Sequence, residues 1–293
     1  MIEIYKLNIV IYIEKTPLLF YTKIKSITRG VFFVLKYSVC IDMLFPESDF
    51  YDRFTLAKSA GMDAIEFWKW SNKDLDKVSK ALKANDLSFA ICNLDSSDEK
   101  LSADLAKGIL NAGRKYEFLA AIKESIPAYR KLNAQALIVL IGEKLDISYE
   151  EQIKNIKLCL SAAKPLVEKE NINLIVEPLN DFDRKNYFLP RAKEVLELLR
   201  EINCKKIKIL LDLYHEQLMA GNLINTINEN IDLIGHIHIA DAPGRHEPGT
   251  GEINYPNVFK ALKEKGYENY IGFEFRSTKN AEQTAEMIRS FKL

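Results

Sequence analysis

The chain has 293 residues, 47% of them apolar, enough for one large domain or two modest ones with a sizeable core. Its 41 Lys and Arg balance 41 Asp and Glu, and zero formal charge argues against a general nucleic-acid binder, which needs a basic surplus. No apolar run nears the ~20 residues of a membrane-spanning helix, and four dispersed cysteines without CxxC spacing (Cys40, Cys92, Cys159, Cys204) predict buried free thiols in a reducing cytoplasm.

Residues 1–34 read differently from the rest. Two short apolar stretches, Ile9–Ile13 and Val31–Leu35, flank a Lys-containing segment, and Glu14 interrupts any signal-peptide core. The expectation is an N-terminal extension over 1–34 and a barrel over 35–293. One account makes Leu35 a TTG-encoded start, with Arg29-Gly30-Val31 encoded by a purine-rich ribosome-binding sequence upstream. The other is a strand pair covering the bottom of the barrel.

From Tyr37 onward, short apolar runs alternate with helical patterns roughly every 30 residues, the spacing of βαβ units. The predicted strands are Tyr37–Ile41, Ala64–Phe67, Ser88–Asn93, Ala136–Leu140, Asn173–Glu177, Lys208–Asp212, Leu233–Ala240 and Ile271–Phe275. The predicted helices are Phe50–Ser59, Asp74–Ala84, Tyr116–Lys131, Tyr149–Glu170, Arg191–Ile202, Glu216–Ala220, Pro256–Lys265 and Ala281–Ser290. Ser148 is placed to cap the fourth helix, with Glu151 completing a capping box. Strands alternating with helices pair in parallel through right-handed crossovers, and the element count and length fit an α/β fold of the closed (β/α)8 (TIM barrel) kind. An open doubly wound sheet is disfavoured because no glycine-rich phosphate loop follows the first strand.

In such a barrel, catalytic groups sit at the C-terminal ends of strands. Four neighbouring strands end in metal-ligating residue types: Glu177 after Asn173–Val176, Asp212 after Ile207–Leu211, His238 within Ile234–Ala240, and Glu274 after Tyr270–Phe273. Strand alternation puts His236, His238 and Ala240 on one face. Three carboxylates and one imidazole suit Mn²⁺, Mg²⁺, Co²⁺ or Zn²⁺, and the lack of thiolates argues against a structural zinc. All four histidines of the chain fall between His215 and His246, which marks the same region. Arg245 lies in a Gly- and Pro-rich loop after the seventh strand, at the expected rim of the site, suited to holding a carboxylate or phosphate. Trp68 and Trp70 follow the second strand, either as pocket walls or as packing. Glu66 and Glu143 also lie near strand ends, but with no evident partner.

From about Lys36 to its end, the chain resembles the hydroxypyruvate isomerase family among the xylose-isomerase-like barrels. The resemblance rests on SVCIDMLF at Ser38–Phe45, AIEFWKW at Ala64–Trp70, GRKYEF at Gly113–Phe118 and VEPLN at Val176–Asn180. It continues through LLDLYH at Leu210–His215, GHIHIADAPGRHEPGTGEINYP at Gly235–Pro256, and GYENYIGFEF at Gly266–Phe275. PGRHEPGTGEINYP is the most specific of these; VEPLN and DLYH also occur in related ketose epimerases. The resemblance implies one divalent metal held by Glu177, Asp212, His238 and Glu274, proton handling by Glu177 and Glu274, and substrate contacts from His215 and Arg245. It implies interconversion of hydroxypyruvate and 2-hydroxy-3-oxopropanoate, with Arg245 on the substrate carboxylate. Where hydroxypyruvate isomerases have glutamine, this chain has His238, which resembles the ketose 3-epimerases, whose seventh loop differs.

The implied partner is a small molecule, either a hydroxy-oxo acid or a small ketose, with no nucleic acid or membrane; a homo-oligomer stays open. A metal-dependent ketose 3-epimerase is the alternative. Endonuclease-IV-like repair enzymes need a multinuclear zinc cluster, which four histidines do not supply. A non-catalytic binding protein on a barrel frame would have a broken constellation, and here it is intact.

Overall fold

Strands that carry apolar residues on both faces belong inside a helix-covered parallel sheet. The computed structural model describes residues 34–111 and 113–291, so the extension expected over 1–34 lies, Val34 apart, outside the described residues. The strands are β1 (Lys36–Cys40), β2 (Ala64–Glu66), β3 (Ser88–Phe89), β4 (Ile91–Asn93) and β5 (Ala136–Leu140), then β6 (Leu174–Glu177), β7 (Ile207–Asp212), β8 (Ile234–Ile239) and β9 (Tyr270–Phe273). They form one parallel sheet in the order β3-β2-β1-β9-β8-β7-β6-β5-β4. This is the expected α/β barrel.

One expected strand, Ser88–Asn93, is broken in two at Ala90. Within a regular strand a residue's N–H and C=O point to the same side. Ala90 instead donates to Ile65 O on one side (2.8 Å) and accepts from Gln135 N on the other (2.7 Å). The chain kinks there, β3 pairing with β2 and β4 with β5, and through that kink the two ends of the sheet meet.

The helices follow the expected order with small shifts at their ends. They are Asp52–Ser59, Leu75–Ala84, Glu99–Leu105, Arg114–Leu132, Tyr149–Glu170, Ala192–Ile202, Leu213–Met219, Leu223–Asn230, Tyr255–Glu264 and Ala281–Phe291. Glu99–Leu105 and Leu223–Asn230 were not expected from the sequence. Ser148 Oγ does cap its helix, accepting from Glu151 N at 3.1 Å. Three helices end at asparagines in the left-handed region, Asn133 (φ 52°), Asn171 (φ 53°) and Asn203 (φ 50°). Asparagine tolerates that conformation, and each turns the chain toward the next strand.

Alternation along the strands sorts side chains into two layers. Val39, Ile65, Leu137, Val139, Leu174, Val176, Ile209, Leu211, Ile237, Ile271 and Phe273 pack outward in the core shared with the helices. Ala64, Ala90, Ala136, Ile138, Ile175, Leu210 and Tyr270 form the barrel interior. The residue two beyond each inward side chain also faces inward. Ile175 therefore aims Glu177 into the mouth, and Leu210 aims Asp212 there. All four cysteines are buried free thiols, as expected, and no helix among the described residues is long and apolar enough to cross a membrane.

A register shift between β7 and β8 sets the histidine strand. Ile209 pairs with Ile234, but the next residue, Leu210, pairs with His236, so Gly235 is the extra residue of a bulge. A Cβ at Gly235 would lie 2.6 Å from Ile175 Cγ2 and 3.1 Å from Lys208 Cβ. Gly235→Ala is therefore expected to destabilise the protein by about 1–3 kcal/mol, the usual range for overpacking. Urea unfolding beside the wild type measures it; an unchanged midpoint would mean that the bulge has room to spare.

Candidate active site

Glu177, Asp212, His238 and Glu274, expected from sequence to converge, do so at the C-terminal mouth of the barrel. All four are buried, and one donor atom from each lies within 4.8 Å of the others. His238 Nδ1 is 3.2 Å from Glu274 Oε2 and 3.6 Å from Glu177 Oε1. That nitrogen is buried with no hydrogen-bond partner. Burial works against charge on His238, but Glu274 and Glu66 outweigh it and hold the imidazole well above its ordinary range. A pocket that draws a proton this strongly onto a buried nitrogen is a pocket for positive charge. Three hard oxygens and one nitrogen fit a divalent cation, so the residues present match the expected metal group.

The carboxylates are not equivalent. Burial pushes the Glu177 carboxyl upward, and neighbouring Glu274 and Asp212 add to this, against the pull of His238. Burial also acts on Glu274, but His238 and Arg245 outweigh it and hold this carboxyl well below the usual range. Asp212 divides its two oxygens. Oδ1 caps the helix Leu213–Met219, accepting from Tyr214 N (2.8 Å) and His215 N (3.3 Å), while Oδ2 faces the site.

His215 sits on the first turn of that helix. Its Nδ1 accepts from Asn180 N at 3.1 Å, which leaves the ring proton on Nε2. Nε2 lies 3.5 Å from Asp212 Oδ2 and makes no hydrogen bond. Burial depresses the imidazole to about 4, so it is a neutral ring with one N–H turned toward the acidic cluster.

The loop carrying Arg245 is more ordered than a rim loop needs to be. Buried Asp241 accepts from Ala242 N (3.0 Å), Ile253 N (3.1 Å) and Gly249 N (2.6 Å). Buried Glu247 accepts from Thr278 N (2.8 Å) and Thr278 Oγ1 (3.0 Å). Arg245 itself takes φ 59°, and its carbonyl accepts from Arg276 N at 2.7 Å. These ties turn the side chain inward. Arg245 Nη2 lies 3.1 Å from Asp212 Oδ2 and also pairs with Glu274 Oε2, while Nε is buried without a partner. The sequence placed this guanidinium at the rim; the structure places it against the carboxylates.

Two contributors were noted in sequence without an assigned role. Trp68 is 41% exposed at the mouth, and its Nε1 donates to Glu274 Oε1 at 2.9 Å. Trp70, by contrast, is packing: it is buried and donates to Ser125 Oγ. Glu66, which showed no partner in sequence, accepts from Ser38 Oγ (3.0 Å) and pairs with His238 Nε2 (3.0 Å). Glu143 is exposed and joins no such cluster. The signal for Glu66 was available, because it closes a strand just as Glu177 does and its inner-face neighbours across the barrel are histidines.

Comparison with known proteins agrees with this geometry. A family profile described as a xylose isomerase-like TIM barrel matches residues 54–292. The chain is 34% identical to a hydroxypyruvate isomerase of Escherichia coli (strain K12) over 83% of its own length and 94% of that relative's. It is 28% identical to a 2-oxo-tetronate isomerase of Cupriavidus necator, over 82% and 92% of the two chains. A crystal structure from Brucella melitensis described as an AP endonuclease of family 2 superposes with a TM-score of 0.82 at 26% identity, covering 89% of this chain and all of that one. With its barrel from residue 54 onward matched by this profile and isomerases aligned along most of its length, the chain belongs to the xylose isomerase-like TIM barrel family and is an isomerase of that superfamily.

Proposed function

We propose that the protein interconverts hydroxypyruvate and 2-hydroxy-3-oxopropanoate, with one divalent metal (Mn²⁺, Mg²⁺, Co²⁺ or Zn²⁺) held by Glu177, Asp212, His238 and Glu274. The observation that carries this reading is a pair of buried N–H donors without partners, His215 Nε2 and Arg245 Nε, beside the acidic cluster. A cluster built only for a cation has no use for them. A substrate that brings its own oxygens and a carboxylate does.

A divalent ion in the cluster supplies Lewis-acid stabilisation of the negative charge that develops on adjacent substrate oxygens. Arg245 holds the substrate carboxylate, and His215 Nε2–H donates to a substrate oxygen. A proton leaves C3 of hydroxypyruvate and arrives at C2, while a hydroxyl proton passes from the C3 oxygen to the C2 oxygen, so the exchange balances through an enediolate. Glu177 and Glu274 handle the carbon proton. Their environments push the two carboxyls apart: burial favours a proton on Glu177, whereas His238 and Arg245 keep Glu274 ionised. Trp68 covers the mouth and orients Glu274 through its indole N–H.

The test is turnover of hydroxypyruvate by purified protein before and after chelation, beside a four-carbon 2-oxo acid and a panel of five- and six-carbon ketoses. Activity should vanish on chelation and return with Mn²⁺ or Mg²⁺. Glu177→Gln and Glu274→Gln should each lower kcat by about 10²–10⁴, the usual contribution of a proton-transfer group. Ketose turnover with hydroxypyruvate inert would instead establish the 3-epimerase alternative, to which His238 is common. Trp68→Phe keeps the aromatic wall and removes one hydrogen bond to a charged group, so kcat/KM should fall about tenfold or more. Metal affinity should stay within a few-fold in that variant. A fully active Trp68→Phe would reduce Trp68 to a lining residue.

A further inference from the structure

We infer that Glu66 is a positioning residue for the metal site: its carboxylate fixes the ring and tautomer of His238 so that Nδ1 presents a lone pair to the ion. The inference rests on the metal reading of the cluster and adds to it a residue that the ligand set does not contain.

A neutral imidazole has one N–H and one lone pair, and whichever nitrogen meets a strong acceptor keeps the proton. His238 lies between two groups of carboxylates. Nε2 is 3.0 Å from Glu66 Oε2, while Nδ1 faces Glu274 and Glu177. Glu66 therefore claims the Nε2 proton and leaves Nδ1 as the ligand atom. A carboxylate behind a metal-binding imidazole orients the ring and raises its basicity.

Glu66 is itself held in place. Ser38 Oγ donates to Oε1 at 3.0 Å. The layer is built from four strands that are neighbours in the barrel. Ser38 pairs with Gly272, Gly272 with His238, and Cys40 with Glu66. Gly272 leaves the space for it: a Cβ there would lie 2.1 Å from Glu66 Oε1 and 2.9 Å from both His236 Nε2 and His238 Cδ2. A barrel position otherwise suited to a β-branched residue is kept bare where the carboxylate passes.

Glu66, His236 and His238 also lie close enough to hold an ion of their own. That use would require His238 to serve two cations at once, which a neutral ring with one lone pair does not do. Both oxygens of Glu66 are already engaged, by Ser38 and His238.

The test is metal binding by the full chain, using Co²⁺ and Mn²⁺ calorimetry and the visible d–d bands of the Co²⁺ form. The wild type should take up one ion per chain. Glu66→Gln keeps the size and an acceptor oxygen but loses the charge, and should weaken metal binding about 10–100-fold while shifting the Co²⁺ bands. Glu66→Ala should weaken it further. A residue that only supported the fold would lower the melting temperature of the metal-free protein and leave the bands of the loaded protein alone. Wild-type affinity and bands in both variants would overturn the inference, as would two ions per wild-type chain. No metal uptake by the wild type would remove the metal reading itself, and with it this one; uptake by the wild type with indifferent variants would remove only the role of Glu66.

Discussion

Three carboxylates buried within a few ångströms of one another are the constraint around which the mouth of this barrel is built. Desolvation and mutual repulsion both disfavour their ionised forms, and a fold that leaves them alone would protonate or open there. The structure instead surrounds them with groups that attract or tolerate negative charge. His238 stands at their centre, Arg245 reaches in from the seventh loop, the helix after β7 begins on Asp212, and Trp68 donates to Glu274. Each of these comes from a different element, so the site is electrostatically complete only when the barrel has closed.

Closure in turn depends on the small set of inward-facing residues. Alanines at 64, 90 and 136 leave little bulk where the sheet kinks, and Ile138, Ile175 and Leu210 on β5, β6 and β7 fill the interior beside them. Gly235 and Gly272 occupy points where a Cβ would strike a neighbour, one at the bulge that sets the register of β8 and one beside the histidines. Bulk in the lower layer, bare backbone in the next and charge at the top form a gradient along the barrel axis.

This gradient explains why the buried quartet at the mouth was legible in sequence and its supports were not. A parallel barrel converts the last inward residue of each strand into a mouth residue, so the four acidic or imidazole strand ends could be placed together without coordinates. The strands and most of the helices followed from apolar periodicity for the same reason. Glu66 obeys the same rule, and Ser38 lies on the adjacent β1, but His238 is on β8, three strands away, and only the closed barrel brings it to the carboxylate. The inward turn of Arg245 depends on the hydrogen bonds of Asp241 and Glu247, which cannot be inferred from a run of glycines and prolines. The kink at Ala90 is a local event that leaves no period in the sequence.

The position of Arg245 bears on how the site would choose an acid over a neutral sugar. A guanidinium already paired with Asp212 and Glu274 neutralises part of the cluster, and a divalent ion held by the same carboxylates would weaken its hold on them. Under the proposed reaction, the charge released in this way meets a substrate carboxylate, so metal and acid bind in the same sense. A neutral ketose offers nothing to the released guanidinium, and the loss of two buried ion pairs would then go uncompensated. His238 is compatible with either substrate class. The loop that drives Arg245 into the mouth would distinguish them, because its geometry makes a negative charge on the substrate useful where a bound metal would take up the protein's own negative charge.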